Sequence, residues 1–90
     1  MKAISLTKKL DKLPNLMGIV HEAPDNKINH RRHCYCTLKH VIEYIETPDR
    51  DITGGIHIRR VGDISKPQSD YFAGYFYHTI KQAINYLTNK

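Results

Sequence analysis

Two stretches of this chain are variants of one another. Residues 35–45 read YCTLKHVIEYI and residues 77–87 read YHTIKQAINYL. Tyr, Thr, Lys, Ile and Tyr recur at matching places, and the other matched apolar positions exchange only among Leu, Ile, Val and Ala. A shorter echo lies upstream, where Gly18-Ile19-Val20-His21 resembles Gly55-Ile56-His57-Ile58. A repeat spaced at nearly half the chain constrains the fold, because each copy is expected to build the same unit. The expected unit is two strands followed by a helix.

Reading outward from the repeat gives the order α-ββα-ββα. In the first copy Thr37 is placed to cap a helix over residues 37–46, whose Leu38, Val41, Ile42 and Ile45 make one apolar stripe. In the second, Thr79 caps a helix over 79–88 with the stripe Ile80, Ala83, Ile84 and Leu87. Strands are predicted at 17–22, 28–36, 56–61 and 70–77, with Gly74 marking a bend in the last. Pro24-Asp25-Asn26-Lys27 is turn chemistry between the first two strands, and Asp51 to Gly55 reads as a loop. An N-terminal helix at about 5–13 carries Leu6, Leu10 and Leu13 at helical spacing and stops at Pro14. The first ββα unit then covers about 17–47 and the second about 55–88. The expected fold class is α+β, one domain over residues 1–90, with pseudo-twofold ββα repeats. Two helices would lie on one face of a four-stranded, mostly antiparallel sheet.

Charge is uneven. Residues 1–40 hold eight Lys and Arg against three acids, whereas residues 41–90 hold six of each. A basic half suits an anionic partner. No apolar run approaches the length needed to span a bilayer, and Lys8 and Lys9 interrupt the N-terminal segment where a signal peptide is apolar. A cytoplasmic protein with no membrane partner is the expectation. The C-x-C pair Cys34 and Cys36 reads as two reduced thiols.

If the helices cover one sheet face, side-chain alternation assigns the other. Cys34, Cys36, Ile56, Ile58, Phe72 and Phe76 would point to the core. Arg31, His33, Tyr35, His57, Arg59, Tyr71, Tyr75 and, at the strand end, Tyr77 would then face outward, with no carboxylate among them. Tyrosine and arginine offer stacking surface, fixed charge and donors, which suits single-stranded nucleic acid and also protein hot spots. Lys8, Lys9 and Lys12 would add long-range attraction. The leading expectation is a non-enzymatic binding module for nucleic acid or a ribonucleoprotein. The alternative is a protein-directed inhibitor or adaptor of mobile-element type that grips an acidic patch on a host machine.

A third reading is a small metal-independent ribonuclease using His33 and His57 on one face with Arg59 and Tyr75. No nucleophile, P-loop or dinucleotide motif accompanies it. His30, His33, Cys34, Cys36 and His40 are zinc-type residues, but strand geometry sends Cys34 and Cys36 one way and His33 the other, so neither metal nor cofactor is expected. A homodimer, if formed, is expected to use a sheet edge or the first helix.

Overall fold

The computed structural model describes residues 1–25, 27–60 and 75–88. Thr37 and Thr79 open the two matching stretches with the same local bond. Thr37 Oγ1 accepts the backbone N–H of His40 at 3.0 Å and of Lys39 at 3.2 Å, and Thr79 Oγ1 accepts that of Gln82 at 3.1 Å. Beyond that bond the chains diverge. After Thr79 the backbone continues as a helix, α2 (Ile80–Thr88), whereas after Thr37 it reverses and returns as a strand, β3 (His40–Glu46). The helix expected at 37–46 is therefore a strand. Its Val41-Ile42-Glu43-Tyr44-Ile45 run is β-branched and aromatic, stiff at χ1 and suited to a pleated surface. The matching run in α2 substitutes Ala83 for Val41, and alanine is the strongest helix former.

The sheet follows chain order. β1 (Leu16–His21), β2 (Arg31–Thr37), β3, β4 (Ile52–Arg60) and β5 (Tyr75–Tyr77) pair antiparallel in sequence, five strands among the described residues where four were expected. Asp25 closes the β1–β2 connection by accepting the N–H groups of Lys27, Ile28 and Asn29 at 3.1, 2.8 and 2.8 Å, with Asn29 left-handed at φ 58°. The expected loop at Gly54-Gly55 is instead a bulge inside β4. Glu43 pairs with His57 but Ile45 with Thr53, so β4 spends more residues than β3 there. Both glycines take positive φ, 76° and 81°. A Cβ on Gly55 would also stand 3.2 Å from the Tyr77 carbonyl oxygen.

The N-terminal helix α1 spans Ala3–Leu10, earlier than expected, because its start is fixed from outside. Ala3 N–H donates to the Arg50 carbonyl and Ile52 N–H to that of Met1, each at 2.9 Å. The terminal ammonium and Lys2 face Asp51 at 3.7 and 3.1 Å. Ala3, Leu6 and Leu10 of α1 and Ala83 of α2 share one core with Tyr35, Ile42, Tyr44, Ile56 and Ile58, so both helices cover the same sheet face. No helix of the described residues is long and apolar enough to cross a membrane. The expected pair of ββα units is not formed by the described residues, since the first copy of the repeat is a hairpin and the second a strand and helix.

Truncating Ile42, fully buried, should cost about 3 kcal/mol. Truncating Leu38, 59% exposed although it heads the helical stripe, should cost less than about 0.5 kcal/mol. Urea unfolding of Ile42→Ala and Leu38→Ala measures the contrast, and equal losses would contradict a strand at 40–46.

Candidate functional site

Alternation holds in the sheet, but β2 presents the opposite parity to the expected one. His33 and Tyr35 point under the helices, and Arg32, Cys34 and Cys36 face away. The cause is that a buried phenol is favourable when its hydroxyl finds an acceptor. Tyr35 donates to Asp11 Oδ1 at 2.8 Å, and Tyr44 of β3 bonds Thr7 Oγ1 at 2.8 Å, so two large rings reach from the sheet to one flank of α1. Burial first, then the Asp11 bond, raises the Tyr35 hydroxyl well above its ordinary value. β5 is inverted as well. Phe76 lies outward, 56% exposed, while Tyr77 packs on the core. Tyr71 and Phe72 lie outside the described residues, and Tyr75 enters by its register alone, opposite Ile58.

On the helix side a polar line runs across three strands. Glu46 Oε1 meets His33 Nε2 at 2.7 Å, and His33 Nδ1 meets His21 Nδ1 at 2.6 Å. Arg50 Nη1 stands 3.6 Å from the other Glu46 oxygen. A carboxylate only accepts, so His33 Nε2 carries a hydrogen, and one hydrogen occupies the gap between the two Nδ1 atoms. His33 is 5% exposed and stacks on Tyr44, whereas His21 on β1 is exposed. Arg31 sits on this side too, opposite Glu46.

The outward face is not the carboxylate-free platform expected. With β3 present, Glu43 stands at its centre, bonded by Arg32 from β2 and Arg59 from β4. Arg32 also reaches Glu22 Oε1 at 2.8 Å. Glu43 is held below its usual value by these guanidinium groups against the opposing effect of burial, which is the largest single influence. The same contacts, the Glu43 bond foremost, raise Arg32. Arg59, expected to be exposed, is 4% exposed. His57 does face outward as expected, stacked on Phe76 with ring centroids 4.4 Å apart. Its Nε2 is buried without a hydrogen-bond partner among the described residues, and burial lowers its basicity. The Cys34 thiol is pushed up to about 11, first by burial and then by Cys36, so it is a poor nucleophile. His33 and His57 occupy opposite faces, which separates the pair that the ribonuclease reading brought together.

Charge is instead sorted along the strands. At the end where α1 finishes and the β2–β3 turn lies, Lys8, Lys9, Lys12 and Lys39 are exposed with no ion-pair partner among the described residues. Arg60 joins this end opposite His40. Among the described carboxylates, Glu22, Asp25, Glu46, Asp49 and Asp51 belong to the other end and Glu43 to the middle. Asp11 alone lies near the lysines. A groove of about 320 Å³ opens here, lined by Leu13, Pro14, Thr37, Leu38, Lys39, His40 and Leu87 among others, with no carboxylate. His40 contacts the Tyr86 ring edge-on at 5.2 Å, and burial, then Lys39 and Arg60, lower its basicity. Lysines 8, 9 and 12 were legible as exposed cations. Lys39 and His40 were missed because the assumed helix hid the turn they occupy. No protein-family model, curated protein or solved structure matches this chain.

Glu43→Gln should destabilise the fold by about 3 kcal/mol, since two guanidinium groups lose their shared anion. A depressed carboxylate contributes stability that is present above its unfolded value, near 4.5, and is lost as pH falls below it. Unfolding free energy of the wild type should therefore drop between pH 5 and pH 3, about the carboxylate range, by more than that of Glu43→Gln. Parallel pH profiles would refute the clamp. Tyr35→Phe should cost about 1 kcal/mol by chemical denaturation, for the lost bond to Asp11.

Proposed function

We propose that the protein is a non-enzymatic binding module whose lysine-bearing end engages the phosphate backbone of nucleic acid. The reading rests on the sorting of charge. The ion pairs engage Arg32, Arg59, Arg50 and Lys2 with carboxylates, whereas Lys39 lines a groove without a carboxylate, and exposed Lys8, Lys9 and Lys12 lie on the last turn of α1 and the segment leading into the Leu13 and Pro14 wall of that groove. Compact ammonium groups on flexible stems suit phosphates spaced along a strand, and their attraction needs no base-specific geometry. The apolar floor of the groove, with Leu13, Pro14 and Leu38, gives an unstacked base a dry surface beside Lys39 and His40.

The interface differs from the sheet platform expected from the sequence. Of the residues proposed for it, Lys8, Lys9 and Lys12 stay in the reading. Arg59 is engaged with Glu43, His33 and Tyr35 are under the helices, Arg31 is at the opposite end, and His57 is stacked against Phe76.

Fluorescence anisotropy with a labelled single-stranded oligonucleotide tests the proposal. Affinity should fall with salt at a log–log slope of about −0.7 per phosphate contacted. The triple variant Lys9→Glu/Lys12→Glu/Lys39→Glu should lose affinity by about tenfold or more, with a shallower slope, while Lys27→Glu/Lys81→Glu changes little. Absence of binding at low salt, a flat salt profile, or equal losses in both variants would overturn it. Capture of an acidic protein that survives nuclease treatment, with no oligonucleotide binding, would assign the same surface to the protein-directed alternative.

A further inference from the structure

β1 is an edge of the sheet, left unprotected among the described residues. Its residues 17–21 are all exposed, with Met17 at 70%, Val20 at 53% and Ile19 at 43%. The other edge, β5, offers three residues among those described. Natural edge strands are usually blunted by charge or proline, and β1, reading LMGIVH, has neither.

Which backbone groups point outward follows from the ladder. Glu22 N–H donates to the Arg32 carbonyl, so Glu22 belongs to a hydrogen-bonded pair with β2. Hydrogen-bonded and non-bonded pairs alternate in an antiparallel ladder. Val20 opposite Cys34 and Gly18 opposite Cys36 therefore use their backbone groups inward. Ile19 and His21 present theirs to the open edge.

We propose that this edge is the interface of a homodimer, in which β1 pairs antiparallel with β1 of a second copy about a twofold axis through the Ile19 pair. A strand pairs with itself antiparallel under twofold symmetry. Centring the axis on Ile19 makes each Ile19 N–H donate to the other's carbonyl, and brings His21 toward Met17 of the second copy. The same register sets Val20 over Gly18 of the second copy on the outward face, where a Cβ on Gly18 would meet nothing within 4 Å. The small residue leaves the room that the branched one fills. The strand between Leu16 and His21 is free of acids, Lys and Arg, so the close approach pairs no like charges. The antiparallel arrangement also sets the flank bearing Lys12 in one copy beside the flank bearing Glu22 and Asp25 in the other, twice. A second copy thus matches the edge in backbone register, side-chain volume and flanking charge.

Sedimentation equilibrium across about 10 μM to 1 mM covers dissociation constants in the micromolar range. The wild-type mass should rise from 10.5 kDa toward twice that value. Ile19→Pro removes an outward N–H that the β1–β2 ladder does not use, and Ile19→Lys places charge beside its own copy. Both variants should stay at the monomer mass with the far-ultraviolet circular dichroism of wild type. Ile19→Cys should cross-link on mild oxidation, because Cα atoms of a hydrogen-bonded pair stand about 5.5 Å apart, within disulfide reach. Lys27→Cys and wild type, which carries the half-buried Cys34 and Cys36, set the background. A wild type that stays monomeric, variants that dimerise like wild type, or no faster cross-linking at position 19 than at 27 would each overturn the proposal.

Discussion

The fold depends on one carboxylate placed in the middle of a sheet. Glu43 sits on the central strand and accepts from Arg32 on one neighbour and Arg59 on the other. Removing a carboxylate from water is expensive unless its partners are aligned and its lone pairs are used. Both guanidinium groups reach Glu43 only when β2, β3 and β4 lie in the observed register. The contact therefore works as a specification of pairing as well as an attraction. It also engages two of the chain's cations, Arg32 and Arg59, within the sheet.

That placement explains how far the residues could be read without coordinates. The α+β class, the turn at Asp25, the inward Ile56 and Ile58 and the C-terminal helix follow from local pattern, and each is observed. The segment 37–46 does not follow. Its apolar residues satisfy helical spacing, its Thr37 makes a bond of the kind a helix cap makes, and its counterpart is a helix. The deciding terms are the β-branched content of VIEYI and the two-sided burial of a central strand, with Ile42 and Tyr44 below and Val41 and Glu43 above. A one-dimensional pattern carries no sign that a residue will have neighbours on both faces. A helix at that segment takes Glu43 out of the sheet, which is why the sequence pattern alone leaves the outward face without acids.

The parity of β2 was illegible for a related reason. Cysteine is the more buried residue type on average, so residue type alone points Cys34 and Cys36 inward. Tyr35 and His33 go inward because Asp11 and Glu46, distant in sequence, supply hydrogen-bond partners there. Lys8, Lys9 and Lys12 are exposed, and nothing non-local is needed to place them. Their grouping with Lys39 and His40 required the β2–β3 turn.

A sheet whose spatial order is its chain order has a kinetic consequence. From β2 to β4 each strand finds its partner across a short connection, and β2 meets β3 through a turn already closed by the Thr37 hydroxyl. Loop-closure entropy is small for such neighbours, and folding rate rises as contacts become more local. The β2–β3 hairpin is thus the natural nucleus, with β1 and β4 zipping onto its two sides independently. The slow closure belongs to α1, whose start must find Arg50 and Asp51 across most of the sheet sequence. Contact locality therefore favours assembly of the middle first and fastening of the N-terminus last.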